Sequence, residues 1–175
     1  MIKYRELVIA DAERLIEVDR SEHINFIYKL QDGEIVEVPT GHQCPNWDEE
    51  QLREMVNRFK YEVENGGKAF GAFEEVNLVG FAVLAHKFRG KEKNQLQVDL
   101  MYVSTKHRRQ GIGTRLLDEI SQEARRRGAL SLYISSTETE SAVNFYRNNG
   151  GELTDEMDDE LFKREPQDIH MIKKL

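Results

Sequence analysis

Cysteine is almost missing from the chain. Cys44 is the single thiol in 175 residues, so no intramolecular disulfide can staple the fold, and a reducing cytoplasm is the expected compartment. Proline is scarce too, with Pro39 and Pro45 in one loop-like stretch and Pro166 in another. No run approaches the roughly 18 apolar residues that a membrane-spanning helix needs. The opening MIKYRELVIADAERL lacks a charged-then-apolar leader pattern and reads directly as strand and helix. Basic residues are not in excess. Lys and Arg total 25 against 32 Asp and Glu, a net charge of −7, which disfavours nonspecific nucleic-acid binding and is compatible with a cationic or amine partner. Repeats, linkers and low-complexity tracts are missing. With about two fifths of its residues hydrophobic, the chain can bury one core, and a single domain over residues 1–175 is expected.

The hydrophobic pattern predicts a mixture of strands and helices. Ile2 to Val8 reads as a strand, and Ala10 to Asp19 as a short helix with Ala12, Leu15, Ile16 and Val18 inward. Residues 24–30 and 34–38 form a hairpin turning at Asp32-Gly33, followed by a loop holding Pro39, Gly41 and Pro45. Asn46 or Asp48 caps a helix reaching Glu64, with Leu52, Met55, Val56, Phe59 and Val63 on one face. Strands are expected at residues 68–74, 77–86 and 94–104, with a charged turn over 87–93. A helix runs from Gly111 to Arg127 and is closed by Gly128. A strand follows over residues 130–135, with Leu130, Leu132 and Ile134 on one side. Thr137-x-x-Glu140 reads as the capping box of a helix ending near Asn149. Two last strands flank an acidic turn containing Pro166.

The segment VDLMYVSTKHRRQGIGTRLLDEISQEARRR, residues 98–127, is a strand emptying through a basic turn into a helix that opens on Gly111-Ile112-Gly113. A helix N-terminus leaves main-chain N–H groups without partners and carries partial positive charge. Glycines at 111 and 113 let a phosphate approach the backbone. No Lys-Ser/Thr follows Gly113, as a P-loop requires, and the acid roughly 20 residues beyond a dinucleotide-binding turn is missing. A plain glycine turn with a solvated basic edge is the alternative reading.

Arg108-x-x-Gly111-x-Gly113 resembles the acyl-coenzyme A signature of the GCN5-related N-acetyltransferases (GNAT), written Q/R-x-x-G-x-G/A. Most of the chain resembles that family in its order of elements, the hairpin and loop at about residues 24–47 being an insertion. The resemblance implies an α/β (α+β) GNAT fold: a central mixed, mostly antiparallel twisted sheet, helices on both faces, and a splayed parallel strand pair. It also implies acetyl-coenzyme A as co-substrate, no metal, and direct transfer to a small-molecule or protein amine in a ternary complex. A homodimer paired through the C-terminal strands is plausible by the same resemblance. Pantetheine would lie along Met101, Tyr102 and Val103. Arg108, Arg109, Gln110, Gly111, Ile112, Gly113 and Thr114 would surround the pyrophosphate.

Ala142-Val-Asn-Phe-Tyr146-Arg-Asn-Asn-Gly150 resembles the family's helix whose tyrosine sits near the coenzyme sulfur. A phenol stays protonated at neutral pH and suits a general acid for a thiolate, although core packing is the commoner fate of such a tyrosine. The chain departs from the family where Thr139 replaces an asparagine and Gly151 an aromatic, leaving Asn144 as the candidate amide contact. For the base, strand alternation puts Asp99 on the face of Met101, whereas the family's glutamate position falls near Gln97. The alternative for Asp99 is a carboxylate that holds the acceptor or pairs with a cation, and Glu22, Glu34 and Glu37 are further candidates. His42 and Cys44 are too few ligands for zinc. Trp47 and Tyr28 either line the acceptor pocket or simply pack. The rival from another class is a catalytically silent coenzyme-A-binding sensor or interaction domain.

Overall fold

A computed structural model describes all 175 residues. Nine strands and four α-helices follow in the order β1 (Ile2–Leu7), β2 (Glu22–Gln31), β3 (Glu34–Cys44), α1 (Glu49–Glu64), β4 (Lys68–Glu74), β5 (Asn77–Arg89), β6 (Gln95–Val103), α2 (Ile112–Arg126), β7 (Ser131–Ser136), α3 (Glu140–Asn148), β8 (Gly151–Leu153), α4 (Asp159–Arg164) and β9 (Ile169–Lys174). Seven strands form one sheet in the order β1-β4-β5-β6-β7-β9-β8. Within it only β6 and β7 are parallel. The hairpin β2–β3 stands apart as a second sheet. No helix is long and apolar enough to cross a membrane.

Apolar side chains leave the sheet on both faces, which divides the core in two. On one face Leu96, Val98, Leu132 and Ile134 pack with Ile112, Leu116 and Ile120 of α2 and Val143 of α3. On the other, Phe81, Val83 and Leu100 meet Met55 and Phe59 of α1 and Leu7 and Leu15 near the N-terminus. Each such side chain, fully buried, contributes about 1.5–3 kcal/mol before its entropy is counted.

Several local expectations are corrected by packing. The first helix is 3₁₀ over Ile9–Glu17. Three residues per turn put Ala12, Leu15 and Val18 in line, and Ile16 falls out of phase, 56% exposed. Pro39 and Gly41 lie within β3, because the backbone there pairs with β2 as far as Glu22–Cys44. A two-stranded ribbon has a free edge that tolerates proline. The turn at Asp32-Gly33 has positive φ at both residues, 51° and 80°, as a tight hairpin demands. Leu130 precedes β7 and is exposed, while Tyr133 is buried. β7 begins at Ser131, so Leu132 and Ile134 share the α2-side core as expected, and only Leu130 falls outside the alternation. Thr139, not Thr137, caps α3, accepting the Ala142 N–H. The cause is a bridge to the hairpin, where the Tyr28 N–H donates to the Glu138 carbonyl at 2.8 Å and Thr139 pairs with Ile27, which keeps residues 137–139 out of the helix.

The tail holds a short helix that strand patterning did not anticipate. Asp158 caps α4 through the Leu161 N–H (3.0 Å) and pairs with the buried Arg89 at 2.9 Å. Its own N–H donates to the Tyr133 hydroxyl at 3.0 Å, and that hydroxyl meets His170 Nδ1 at 2.7 Å. Burial pushes the Tyr133 phenol up to about 12 and the His170 imidazole down. The phenol therefore keeps its proton and donates it to a neutral ring. This network fixes the α4–β9 segment against β5 and β7.

The junction of α3 and β8 is closely packed. A Cβ on Gly151 would lie 2.8 Å from the Tyr146 carbonyl oxygen. Backbone cannot yield as a flexible side chain does, so Gly151→Ala is expected to cost about 1–3 kcal/mol. Urea denaturation checks this, and an unchanged midpoint would show that β8 shifts freely.

Candidate functional site

The ladder between β6 and β7 pairs only Gln95–Ser131, Leu96–Leu132 and Gln97–Tyr133. Beyond it the strands separate, β6 held by β5 and β7 held by β9. Main-chain groups on the facing edges are left for a ligand or for water. A cavity of about 1060 Å³ opens there, lined by β6, the turn before α2, α3, the root of the hairpin and the segment from α4 to β9.

At one end stands the start of α2. The chain passes through a 3₁₀ turn, Thr105–His107, and then Arg109 and Gly111 adopt positive φ, 63° and 82°. The first bond of the helix runs from the Arg115 N–H to the Gly111 carbonyl (3.0 Å). The N–H groups of Ile112, Gly113 and Thr114 precede it and face no helical acceptor. Buried Ile112 anchors the helix in the core. A Cβ on Gly111 would meet nothing within 4 Å, whereas one on Gly113 would come within 3.0 Å of the Phe145 ring. Only Gly111 therefore leaves space on the ligand side, and Gly113 lets α3 pack against α2.

The cations of the turn divide. Arg109 is exposed on the cavity wall. Arg108 is turned back onto the protein: Nε donates to the Val103 carbonyl (3.0 Å), Nη1 to Glu22 (2.7 Å) and Nη2 to the Arg20 carbonyl (3.2 Å). Glu22 also accepts from Ser141 of α3 at 2.9 Å. The hairpin root thus ties together the turn before α2 and the first turn of α3. Gln110 lies off the cavity, its amide donating to the Lys106 carbonyl at 3.2 Å.

Met101, Tyr102 and Val103 line the middle of the cavity, with Asn144 and Tyr146 opposite on α3 and Thr114 towards α2. The Asn144 amide oxygen accepts the Tyr28 hydroxyl at 3.1 Å. Tyr28 is therefore a buried support, while Glu34 and Glu37 are remote from the cavity lining. Trp47 stacks edge-on against Tyr102 at 4.8 Å and beneath Arg20 at 4.3 Å. Burial raises the Tyr146 phenol, and Tyr102 is raised for the same reason.

Asp99 does not share a face with Met101. Leu84 pairs with Val98 and Val83 with Leu100, so Asp99 is the extra residue of a β-bulge. A bulge reverses the alternation beyond it. Met101 packs with the α2-side core, while Asp99 reaches Arg58 of α1, which donates to its carboxylate and its carbonyl, both at 3.0 Å. The Asp99 side chain is 4% exposed, and its other oxygen, Oδ2, is buried without a partner.

Two residues escaped the sequence reading. Arg58 is a cation on the apolar face of α1, at helical spacing from Met55 and Glu62, and that placement was its signal. Asp168 also lines the cavity, accepting Ser135 Oγ–H on Oδ2 at 2.7 Å. Burial pushes its carboxyl up to about 6, against the Ser135 hydrogen bond. Nothing in the local pattern Pro166-Gln-Asp168 marks it, since only the pairing of β7 with β9 brings it to Ser135. No group of three or more His, Cys, Asp or Glu residues is arranged to hold a metal.

Comparison with known proteins bears on this arrangement. The profile of the acetyltransferase (GNAT) family matches residues 24–150. Among solved structures, a nourseothricin acetyltransferase superposes with a TM-score of 0.74 at 22% identity, covering 99% of this chain and 98% of that one. A Bacillus anthracis str. Ames protein described as a streptothricin acetyltransferase, solved with acetyl coenzyme A, gives 0.74 at 18% identity over 100% and 99%. The PaiA N-acetyltransferase of Thermoplasma acidophilum, in complex with coenzyme A, gives 0.64 at 22% over 100% and 99%. At these identities the likeness is one of fold. Comparison with curated protein sequences gives no significant match.

The raised Asp168 carboxyl carries a stability consequence. Below the ordinary carboxylate range it is neutral in both folded and unfolded chains, and above about 6 it is ionised in both, at a cost only to the fold. Its presence therefore lowers stability as pH rises through that window. Asp168→Asn keeps the acceptor for Ser135 and removes the charge. After discounting for solvent screening, the variant should be more stable than the wild type by about 1–2 kcal/mol at pH 8. The gain should grow between pH 4 and 6 and level off above 7, as read from urea midpoints across pH. A pH-independent difference would show that the carboxyl is not strained.

Proposed function

The chain belongs to the acetyltransferase (GNAT) family, and we propose that it transfers the acetyl group of acetyl-coenzyme A directly to a primary amine of a small-molecule acceptor. The observation that carries this reading is the joining of three features in one cavity: free N–H groups at the start of α2, the opened edge between β6 and β7, and the phenol of Tyr146. The coenzyme A complexes of relatives that share the fold support the choice of donor. Relatives acting on nourseothricin or streptothricin by name support a small amine acceptor over a protein one.

The donor supplies an activated thioester, and the protein's own groups do the rest. The N–H groups of Ile112, Gly113 and Thr114, with Arg109 beside them, meet the pyrophosphate charge. The edge of β6 from Met101 to Val103 holds the pantetheine arm in line. Asn144, steadied by Tyr28, borders the same channel. Tyr146 keeps its proton because burial opposes the phenolate, so it is ready to give that proton to sulfur as negative charge develops there. Asp99 is fixed by Arg58 and almost fully buried, which suits it to positioning rather than proton removal. A silent coenzyme-binding role is not favoured, since an unreactive site has no use for a phenol beside the sulfur. Thiol release from acetyl-coenzyme A across a panel of polyamines, amino acids and aminoglycosides tests the proposal.

Two variants separate binding from chemistry. Gly111→Val puts a branched side chain at positive φ into the space before the free N–H groups. Affinity for acetyl-coenzyme A should fall by an order of magnitude or more, and unchanged affinity in calorimetry would remove this turn from the donor site. Tyr146→Phe keeps the ring packing and loses only the hydroxyl. It should lower kcat by about 10²–10⁴-fold with donor affinity intact. A wild-type kcat, with chemistry shown to limit the rate, would make the residue structural.

A further inference from the structure

We propose that Asp168 is the group that takes the proton from the acceptor amine. The inference rests on the amine-acetylation reading above and assigns a residue that the sequence pattern did not suggest.

Position comes first. Asp168 directly precedes β9, and Ile169 pairs with Ser136 at the end of β7. That is the end of β7 already parted from β6, so the carboxyl stands at the mouth of the wedge, on the same cavity as Tyr146, Tyr102 and Asp99. Ser135 engages Oδ2 and holds the group in one orientation. The network of Arg89, Asp158, Tyr133 and His170 fixes the segment on which it sits. A base must be oriented by groups that do not themselves compete for the proton, and this arrangement meets that need.

Chemistry then distinguishes the two aspartates. Asp99 is locked to Arg58, and protonating it would break a buried pair and leave the guanidinium uncompensated. Asp168 has no cation within hydrogen-bonding reach. The charged and titratable groups around it come from every neighbouring element: Glu165 beyond α4, Glu138 between β7 and α3, Arg58 from α1, Tyr146 from α3 and Tyr102 from β6. Burial and the two glutamates favour its neutral form, with Ser135 and Arg58 opposing them. The resulting value of about 6 leaves the group ionised at neutral pH yet willing to accept a proton. The same surroundings push Tyr146 the other way in function, towards keeping its proton, so one cavity holds an acid and a base.

The protons balance as follows. The acceptor arrives as an ammonium, and Asp168 takes one proton and releases it to solvent. The freed lone pair forms the N–C bond to the thioester carbonyl, and the C–S bond breaks. The departing sulfur takes the Tyr146 proton, and the excess proton left on nitrogen returns through water to the phenolate. The net result is amide, free thiol and one proton.

The test uses the full chain, acetyl-coenzyme A and an amine that supports thiol release by the wild type. Asp168→Asn should lower kcat/KM by about 10²–10⁴-fold at pH 7 and leave the acetyl-coenzyme A Kd unchanged. The limb of the kcat/KM profile that falls towards acid near pH 6 should disappear, and the deficit should narrow once pH exceeds that of the acceptor's own deprotonation. A merely structural carboxylate would not move that limb. Ser135→Ala offers a second reading if the first variant folds poorly. Losing the hydrogen bond that favours the carboxylate should move the acid limb to higher pH. A wild-type rate and limb in Asp168→Asn, or an unmoved limb in Ser135→Ala, would overturn the proposal. A wild type that releases no thiol with any amine would instead remove the acetylation reading, and this proposal with it.

Discussion

Two parallel strands that pair for three residue positions and then part create the constraint on which the rest of this structure depends. Main-chain N–H and C=O groups tolerate burial only when satisfied, so an opened ladder persists only if its strands are held from outside and its edges meet a ligand or water. Both conditions are met. β5 grips β6, β9 grips β7, and helices pack on both faces of the sheet. The wedge is therefore held open by the strands on either side of it. The start of α2 adds unpaired donors at one end, and the α4–β9 segment closes the other.

The polar groups around the cleft differ because their supports differ. Asp99 and Asp168 are both carboxyls on one cavity. The first sits on a bulge against a guanidinium, and the second is part-buried beside a hydroxyl and two further acids. The first is bound to a cation, and burial raises the second to about 6. Tyr133 and Tyr146 diverge similarly. Both are raised by burial, but Tyr133 is consumed in a hydrogen-bond network while Tyr146 faces the cavity.

The hairpin β2–β3 is more than an appendage to the main sheet. Its root reaches the turn before α2 through Glu22 and Arg108, and its middle reaches α3 through Tyr28 and Asn144. The guanidinium of Arg108, on the first residue of the glycine motif, is used to join these parts. That leaves the main-chain N–H groups and Arg109 as the polar groups of the motif that face the cavity.

Much was legible in the sequence because it depends on local rules. Glycine at position 111 before an amphipathic run announces a helix start with free donors. Asp32-Gly33 announces a tight turn, Asp48 a helix cap, and the family motifs at Arg108–Gly113 and Ala142–Gly150 the acetyltransferase fold. Where the reading failed, a partner distant in sequence intervened. The hairpin's hold on Glu138 moved the cap of α3 from Thr137 to Thr139. One extra residue in β6 sent Asp99 to α1 instead of to the face of Met101. Asp168 has no local signature at all, and its meeting with Ser135 exists only through the register of β7 with β9. Backbone propensity, capping and glycine conformation act over a few residues, so the chain by itself determined its elements and its glycine motif. The ionisation and reach of each carboxyl depend on burial and on neighbours brought from far along the chain, and those the tertiary structure alone decided.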